Sequence, residues 1–398
     1  MTPFAIIALL AITAPIDPPA LPGAMAPALS SAGGDVAITW LEPASADDKH
    51  RTRLRFARLA DGAWSEPVTI VEHDEFFANW ADVPVMAEAG DDALIVTWPQ
   101  KTADDTYAYD VMVARSEDGG ATWRVLGPAN DDKTPTEHGF VSLVREGNNV
   151  RVFWLDGRAM AGGHGGHAGD GQAGGDMTLR TSVIGTSIGP SVVLDNRVCE
   201  CCSTAAVATS AGPLIVYRDR SAGEIRDISI VRRVQADWTQ PRTVHADDWL
   251  IAGCPVNGPA IDARGGTVVL GWYTGAENNG VVRVSFSLDN GASFAAPITI
   301  DDTWPIGRVG VLALSSGDAI VSWLDSGTAD GAIMLCRVTT DGLVGTPLRA
   351  AVAGVGRATG FPRIARVGSD VVVVWTEDNE TTRIRAVTIP IKSIQTPE

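Results

Sequence analysis

The stretch GDDALIVTW (90–98) opens on a Gly-bearing turn, runs through apolar and β-branched residues and closes on Trp98. That order reads as a tight turn followed by a buried strand. It recurs as GGDVAITW (33–40), GNNVRVFW (147–154), GPLIVY (212–217), GGTVVLGW (265–272), GDAIVSW (317–323) and GSDVVVVW (368–375). An apolar run precedes each copy, such as PVMAEA (84–89) or FVSLV (140–144), and another follows, such as DVMVARS (110–116) or VRVSFS (282–287). A turn and a fourth run come next, as in PVTIV (67–71) and APITI (296–300). Four short antiparallel strands per repeat, without sustained helical periodicity, predict radial repetition of a small sheet. The fold class is therefore all-β, a β-propeller of four-stranded antiparallel blades, with seven blades expected and six as the alternative. Trp40, Trp98, Trp154, Trp272, Trp323 and Trp375 should occupy equivalent positions. The last repeat offers RIRAVTIPI (383–391) as a third strand and little for a fourth. The Pro-rich N-terminal segment reads as a poor substitute for it.

The chain has 398 residues, 45% hydrophobic and 20% charged, which is a globular composition. With 48 acidic against 31 basic residues, its formal charge of -17 repels phosphate backbones and anionic surfaces. Nucleic acid is therefore excluded as an expected partner. No apolar run reaches the length of a membrane span. Phe4 to Ala14 has the length of a signal-peptide apolar region, ended by Pro15, although no Lys or Arg precedes it. The expected organisation is a signal peptide over 1–14, a Pro-rich linker over 15–26 and a propeller over 27–394, with a periplasmic or secreted location.

Two turns share the pattern S-x-D-x-G-x-[ST]-[WF]. One is Ser116, Asp118, Gly120 and Trp123; the other is Ser287, Asp289, Gly291 and Phe294. Both fall between the third and fourth strands of their repeats. Asp can cap the turn's N–H groups, Gly can take a positive φ and the aromatic can pack on the blade. These turns resemble the Asp box of sialidase-like (BNR-repeat) propellers. The wider set WLDGR (154–158), C-x-C-C (199–202), YRDR (217–220), EIRDI (224–228), GCPVNGP (253–259) and GFPR (360–363) is similar to a bacterial group within that family. The resemblance implies a glycan-processing ancestry. It does not supply a catalytic site, because the family's Arg-Ile-Pro motif is missing and no Tyr follows Tyr273. Sialoside hydrolysis is therefore not expected.

Cys199, Cys201 and Cys202 form C-x-C-C, and Cys254 follows in the next inter-repeat link. Two readings stand: two disulfides, or thiolates holding a soft metal such as copper or zinc. Cys336, within AIMLCRV, reads as a buried apolar residue. Met160, His164, His167 and Met177 lie in or beside a Gly-rich insertion (157–177), so His164 and His167 join the candidate metal ligands. Tyr217, Arg218, Asp219, Arg220, Arg226 and Asp227 alternate in charge. They read either as an arginine–carboxylate constellation that orients a ligand or as a solvated ion-pair loop.

Strand parity ties these residues together. In an antiparallel four-stranded blade, the 1–2 and 3–4 turns share one face of the disc, and the 2–3 turns and inter-blade links share the other. Both Asp-box turns fall on the first face. The cysteines, the His/Met insertion, Glu137, His138 and the 217–227 segment fall on the second, which places Cys254 near Cys201 or Cys202. The first functional expectation is an exported propeller that binds a soft metal ion. The alternatives are a glycoside hydrolase of exo-sialidase type and a disulfide-stapled propeller that takes a glycan or protein ligand.

Overall fold

The computed structural model describes residues 14–32, 34–45, 51–161, 175–327 and 330–396. Its strands form seven antiparallel sheets. Blade 1 is built from Met25–Ala32, Asp35–Pro43, Thr52–Ala60 and Val68–His73; blade 2 from Val85–Gly90, Ala93–Lys101, Tyr109–Ser116 and Arg124–Pro128. Blade 3 comprises His138–Glu146, Asn149–Asp156, Thr178–Ile184 and Val192–Asp195, and blade 4 Ala205–Thr209, Gly212–Arg218, Ile228–Val234 and Arg242–His245. Blade 5 takes Ala260–Arg264, Thr267–Thr274, Val281–Ser287 and Ile298–Asp301; blade 6 takes Gly307–Ala313, Ala319–Asp325, Ala332–Val338 and Leu348–Val352. In blades 1 and 4 a two-residue strand, Ala63–Trp64 or Asp237–Trp238, also pairs with the third strand. Each blade's first strand touches the first strand of the next blade, and that of blade 7 touches that of blade 1. The first strands thus line the axis and the ring is closed. The helical elements among the described residues are three single 3-10 turns.

Blade 7 differs from the sequence expectation. Its chain-consecutive strands are Arg363–Val367, Asp370–Glu377 and Arg383–Pro390, and the fourth is Ala14–Pro15 from the other end of the chain. The segment read as a poor substitute strand therefore closes the ring. Pro is tolerated there because the strand lies at the sheet edge, with no outer neighbour waiting for its missing N–H. Ile16 N donates to Ala386 O, and Asp17 accepts from Ala386 N and Arg385. Ile16 and Ala20 pack on the core between blades 1 and 7, so part of the 15–26 segment is seated on the propeller. The signal-peptide reading falls on residues outside those described, apart from Ala14.

The recurring aromatics explain how flat sheets become a ring. Trp40, Trp98, Trp154, Tyr217, Trp272, Trp323 and Trp375 all lie on second strands and are all buried. Large rings between sheets bury the most area per residue. Most also satisfy their polar tip: Trp40 donates to Glu42, Trp98 to Gln100 and Trp154 to Asp156 on their own strands. Tyr217, Trp272 and Trp323 donate to Asp195, Asp247 and Asp301, each at the outer end of the preceding blade. The Trp375 indole N–H has no partner.

Candidate functional site

On the Asp-box face, Ser116 Oγ accepts Gly120 N at 2.8 Å, and Asp118 accepts Thr122 N at 2.9 Å and Thr122 Oγ1 at 2.6 Å. Ser287, Gly291, Asp289 and Ser293 repeat this geometry. Hydrogen bonds from Thr122 and Ser293 hold Asp118 and Asp289 down at about 2. Gly120 sits at φ 95°, where a Cβ would lie 2.4 Å from Phe56 of the preceding blade. Trp123 packs edge-on against that same ring at 6.0 Å, and Phe294 packs against the core shared by blades 4 and 5. These turns lock blades together and carry no free chemistry.

The cysteines lie at the other face, in the links entering blades 4 and 5. Cys199 N bonds Arg218 O, which ties the C-x-C-C turn to the outer end of blade 4's second strand. Cys201 and Cys254 are joined as a disulfide, with Cα atoms 5.9 Å apart. Cys199 and Cys202 are free thiols, both fully buried, with sulfurs 3.0 Å apart. Of the two readings, the two-disulfide one is corrected to one disulfide and one dithiol. The turn directs Cys201 outward toward exposed Cys254 and packs Cys199 and Cys202 inward. The sulfurs of Cys199, Cys201 and Cys202 all lie within 4.8 Å of one another. Cys336 is buried in blade 6, apart from this cluster. His164 and His167 lie outside the described residues.

Charge around the dithiol is asymmetric. Arg226 Nη1 donates to Cys199 Sγ at 3.3 Å and to Glu200 at 2.8 Å, and Nη2 donates to Glu224 at 3.0 Å. Burial pushes the Cys199 thiol up, but the Cys202 hydrogen bond and the Arg226 and Arg218 charges bring it down to about 7. Burial and the partner sulfur hold Cys202 well above the ordinary thiol range. The surroundings therefore favour a thiolate at Cys199 over one at Cys202.

The 217–227 segment is largely satisfied internally, the buried Arg226 Nε excepted. Arg218 is buried and donates to the carbonyls of Asn257, Arg226 and Tyr273. Arg220 pairs with Glu224 at 2.7 Å and also with Glu200. Asp219 accepts from Ser229, and Asp227 accepts from the N–H groups of Asp248 and Trp249. This is the ion-pair reading with one addition: the network closes around the cysteine turn and supplies its positive charge.

A second constellation is not legible in the sequence as a unit, although strand parity puts Glu137 on this face, because its members come from separate links and strand ends. Tyr109 donates to Glu137 Oε1 at 2.9 Å and interacts with Asp82. Asp82 accepts Phe140 N at 2.9 Å, and its other oxygen is buried without a partner. Burial raises Asp82 to about 7 and Glu137 to about 8, and the Asp82 charge adds to the rise at Glu137. Nearby, Trp80 stacks on Phe361 at 6.1 Å. Arg308 lies over both rings, and Arg363 lies over Phe361 with its Nε unpartnered. Phe140 and Arg308 sit at φ 53° and 52°, where the first strands of blades 3 and 6 are bulged. Bulges re-aim side chains, which is how these strands turn residues toward this cluster.

The raised carboxyls give a pH prediction. Between about pH 5 and pH 8 the native state keeps protons on Asp82 and Glu137 that the unfolded chain has released. Stability should therefore fall as pH rises through that window. Chemical denaturation at pH 6 and pH 8 should show a smaller fall in Glu137→Gln than in the parent chain. An unchanged slope would remove Glu137 as a protonated group.

Asp132, His138 and Asp156 form a further cluster, with His138 Nε2 3.2 Å from Asp132. Arg158 already grips Asp156 with two nitrogens and bonds Asp131, so positive charge occupies the space a cation would need.

Comparison with known proteins agrees on architecture. No family model matches the chain, and no curated protein matches it. A Dyadobacter fermentans protein of unknown function superimposes with TM-score 0.56 at 14% identity, over 97% of this chain and 100% of its own. The polysaccharide lyase Uly1 gives 0.56 at 11% identity, covering 92% of this chain and 90% of that one. The α-L-arabinofuranosidase Arb93A of Fusarium graminearum gives 0.52 at 13% identity, covering 96% and 99%. What the chain shares with these structures is the β-propeller fold.

Proposed function

We propose that this chain is an exported β-propeller that binds a soft metal ion, copper(I), through Cys199 and Cys202. The observation that carries this reading is the buried dithiol with its sulfurs 3.0 Å apart and Arg226 beside one of them. Thiolates select copper(I), whereas structural zinc takes four ligands. With Cys201 and Cys254 oxidised only two thiols are available, which favours the ion that is satisfied by fewer donors. Reduction of Cys201–Cys254 would enlarge the donor set.

The test is anaerobic titration of metal-free protein, with Cys201–Cys254 left oxidised, with copper(I) against a competing chelator. One ion per chain is expected. A four-ligand thiolate site is worth roughly 12 kcal/mol, or about 3 kcal/mol per ligand. Cys199→Ala or Cys202→Ala should therefore weaken binding by ~100-fold. Failure to retain stoichiometric copper or zinc would overturn the metal reading and leave Cys201–Cys254 as a covalent staple beside a buried dithiol.

A second reading rests on Asp82, Tyr109 and Glu137, with Arg363 over the Phe361 ring of the neighbouring aromatic stack. Carboxyls kept protonated near neutrality can act as general acids toward a glycosidic oxygen, and a free guanidinium can hold a sugar carboxylate. The polysaccharide lyase and arabinofuranosidase among the structural neighbours act on glycans, which supports a glycan ligand on this propeller. Calorimetric binding of uronate or sialate oligosaccharides, lost in Arg363→Ala, would favour this reading. No binding would oppose it.

A further inference from the structure

We infer that the four clustered cysteines carry out internal thiol–disulfide exchange, moving the disulfide from the surface pair Cys201–Cys254 to the buried pair Cys199–Cys202. The reactants are already in place. Cys199 Sγ lies 3.9 Å from Cys201 Sγ, and Cys202 Sγ lies 3.0 Å from Cys199 on the other side. Arg226 points Nη1 at Cys199 from 3.3 Å, which favours a thiolate at that sulfur over its neighbour. Cys254 is exposed, so a thiolate leaving from it is released to water.

The steps balance without a co-reactant. Cys199 thiolate attacks Cys201 Sγ, the Cys199–Cys201 bond forms, the Cys201–Cys254 bond breaks, and Cys254 departs as a thiolate. Cys202, giving up its proton to Cys254, attacks Cys199 Sγ and forms Cys199–Cys202. Cys201 departs as the second thiolate and takes a proton from solvent, replacing the one Cys199 lost at the outset. One disulfide and two thiols are present before and after, so nothing is oxidised overall. What changes is location: the thiol pair moves from the interior to the surface. A propeller that alternates in this way can present or withdraw a surface dithiol without any external electron donor. This proposal does not depend on metal binding, and it is tested on metal-free protein so that its failure and the failure of the copper reading are separable.

The experiment is anaerobic alkylation of native, chelator-treated protein with iodoacetamide, without reductant, followed by peptide mapping. Exchange predicts a paradoxical pattern. Label accumulates on Cys254 and Cys201, and Cys199–Cys202 is recovered as a disulfide. Protein denatured in alkylating agent at time zero should instead show label on Cys199, Cys202 and the remote Cys336, with Cys201–Cys254 intact. Cys199→Ser should lose all native labelling of Cys254. Cys202→Ser should keep it, because the first step does not need Cys202. Native labelling confined to Cys199 and Cys202, or no labelling with Cys201–Cys254 retained throughout, would overturn the proposal. So would unchanged Cys254 labelling in Cys199→Ser.

Discussion

Cys254→Ser is expected to lower the unfolding free energy by about 4 kcal/mol. The disulfide joins residues 53 positions apart. Crosslinking a loop of that length removes roughly 4 kcal/mol of chain entropy from the unfolded ensemble. The closed loop contains every strand of blade 4, so the link staples that blade to its neighbour's approach segment as well. Cys201→Ser should cost the same, and the double variant should cost no more than either single change, because one covalent bond is removed in each case. The denaturant slope should rise, since an unlinked unfolded chain exposes more surface. Urea unfolding of the three variants beside the parent chain gives all of these quantities. A loss below ~1 kcal/mol would mean that the bond constrains little of the unfolded state. A double variant clearly more stable than either single variant would show that a lone cysteine is harmful in itself.

Trp154→Ala should cost about 3–5 kcal/mol, the range for deleting a large buried aromatic. Trp154 is fully buried and donates to Asp156 Oδ2 at 2.8 Å, so Trp154→Phe isolates the hydrogen bond from most of the packing. Loss of a bond to a charged acceptor costs roughly 1.5–3 kcal/mol. Trp375 is the internal control, because it holds the equivalent place in blade 7 and its N–H has no partner. Trp375→Phe should therefore cost clearly less than Trp154→Phe by the same urea measurement. Equal losses would mean that the carboxylate at Trp154 adds nothing beyond ring packing.

The repeat aromatics, the turn residues before them and the two Asp-box turns were sufficient to read seven four-stranded blades from one chain. The reason is that each of these signals is local: a Gly at positive φ, a buried run and a capping Asp act within a few residues of one another. Parity of short strands then carried the argument to which face each link occupies, and hence to Cys254 beside Cys201. Pairing of sulfurs was not legible, since four clustered cysteines allow three connectivities and side-chain direction within one turn selects among them. Nor was the closing strand, because Ala14–Pro15 meets Arg383–Pro390 only once the ring has formed. Asp82, Tyr109 and Arg308 left no motif, and neither the parity of Glu137 nor the GFPR motif of Arg363 showed that they meet. They come from links and strand ends of blades 2, 3, 6 and 7, and only the ring brings them to one place. Burial there keeps two carboxyls protonated and one guanidinium unpaired, and burial is a property of the assembled ring rather than of any segment in it.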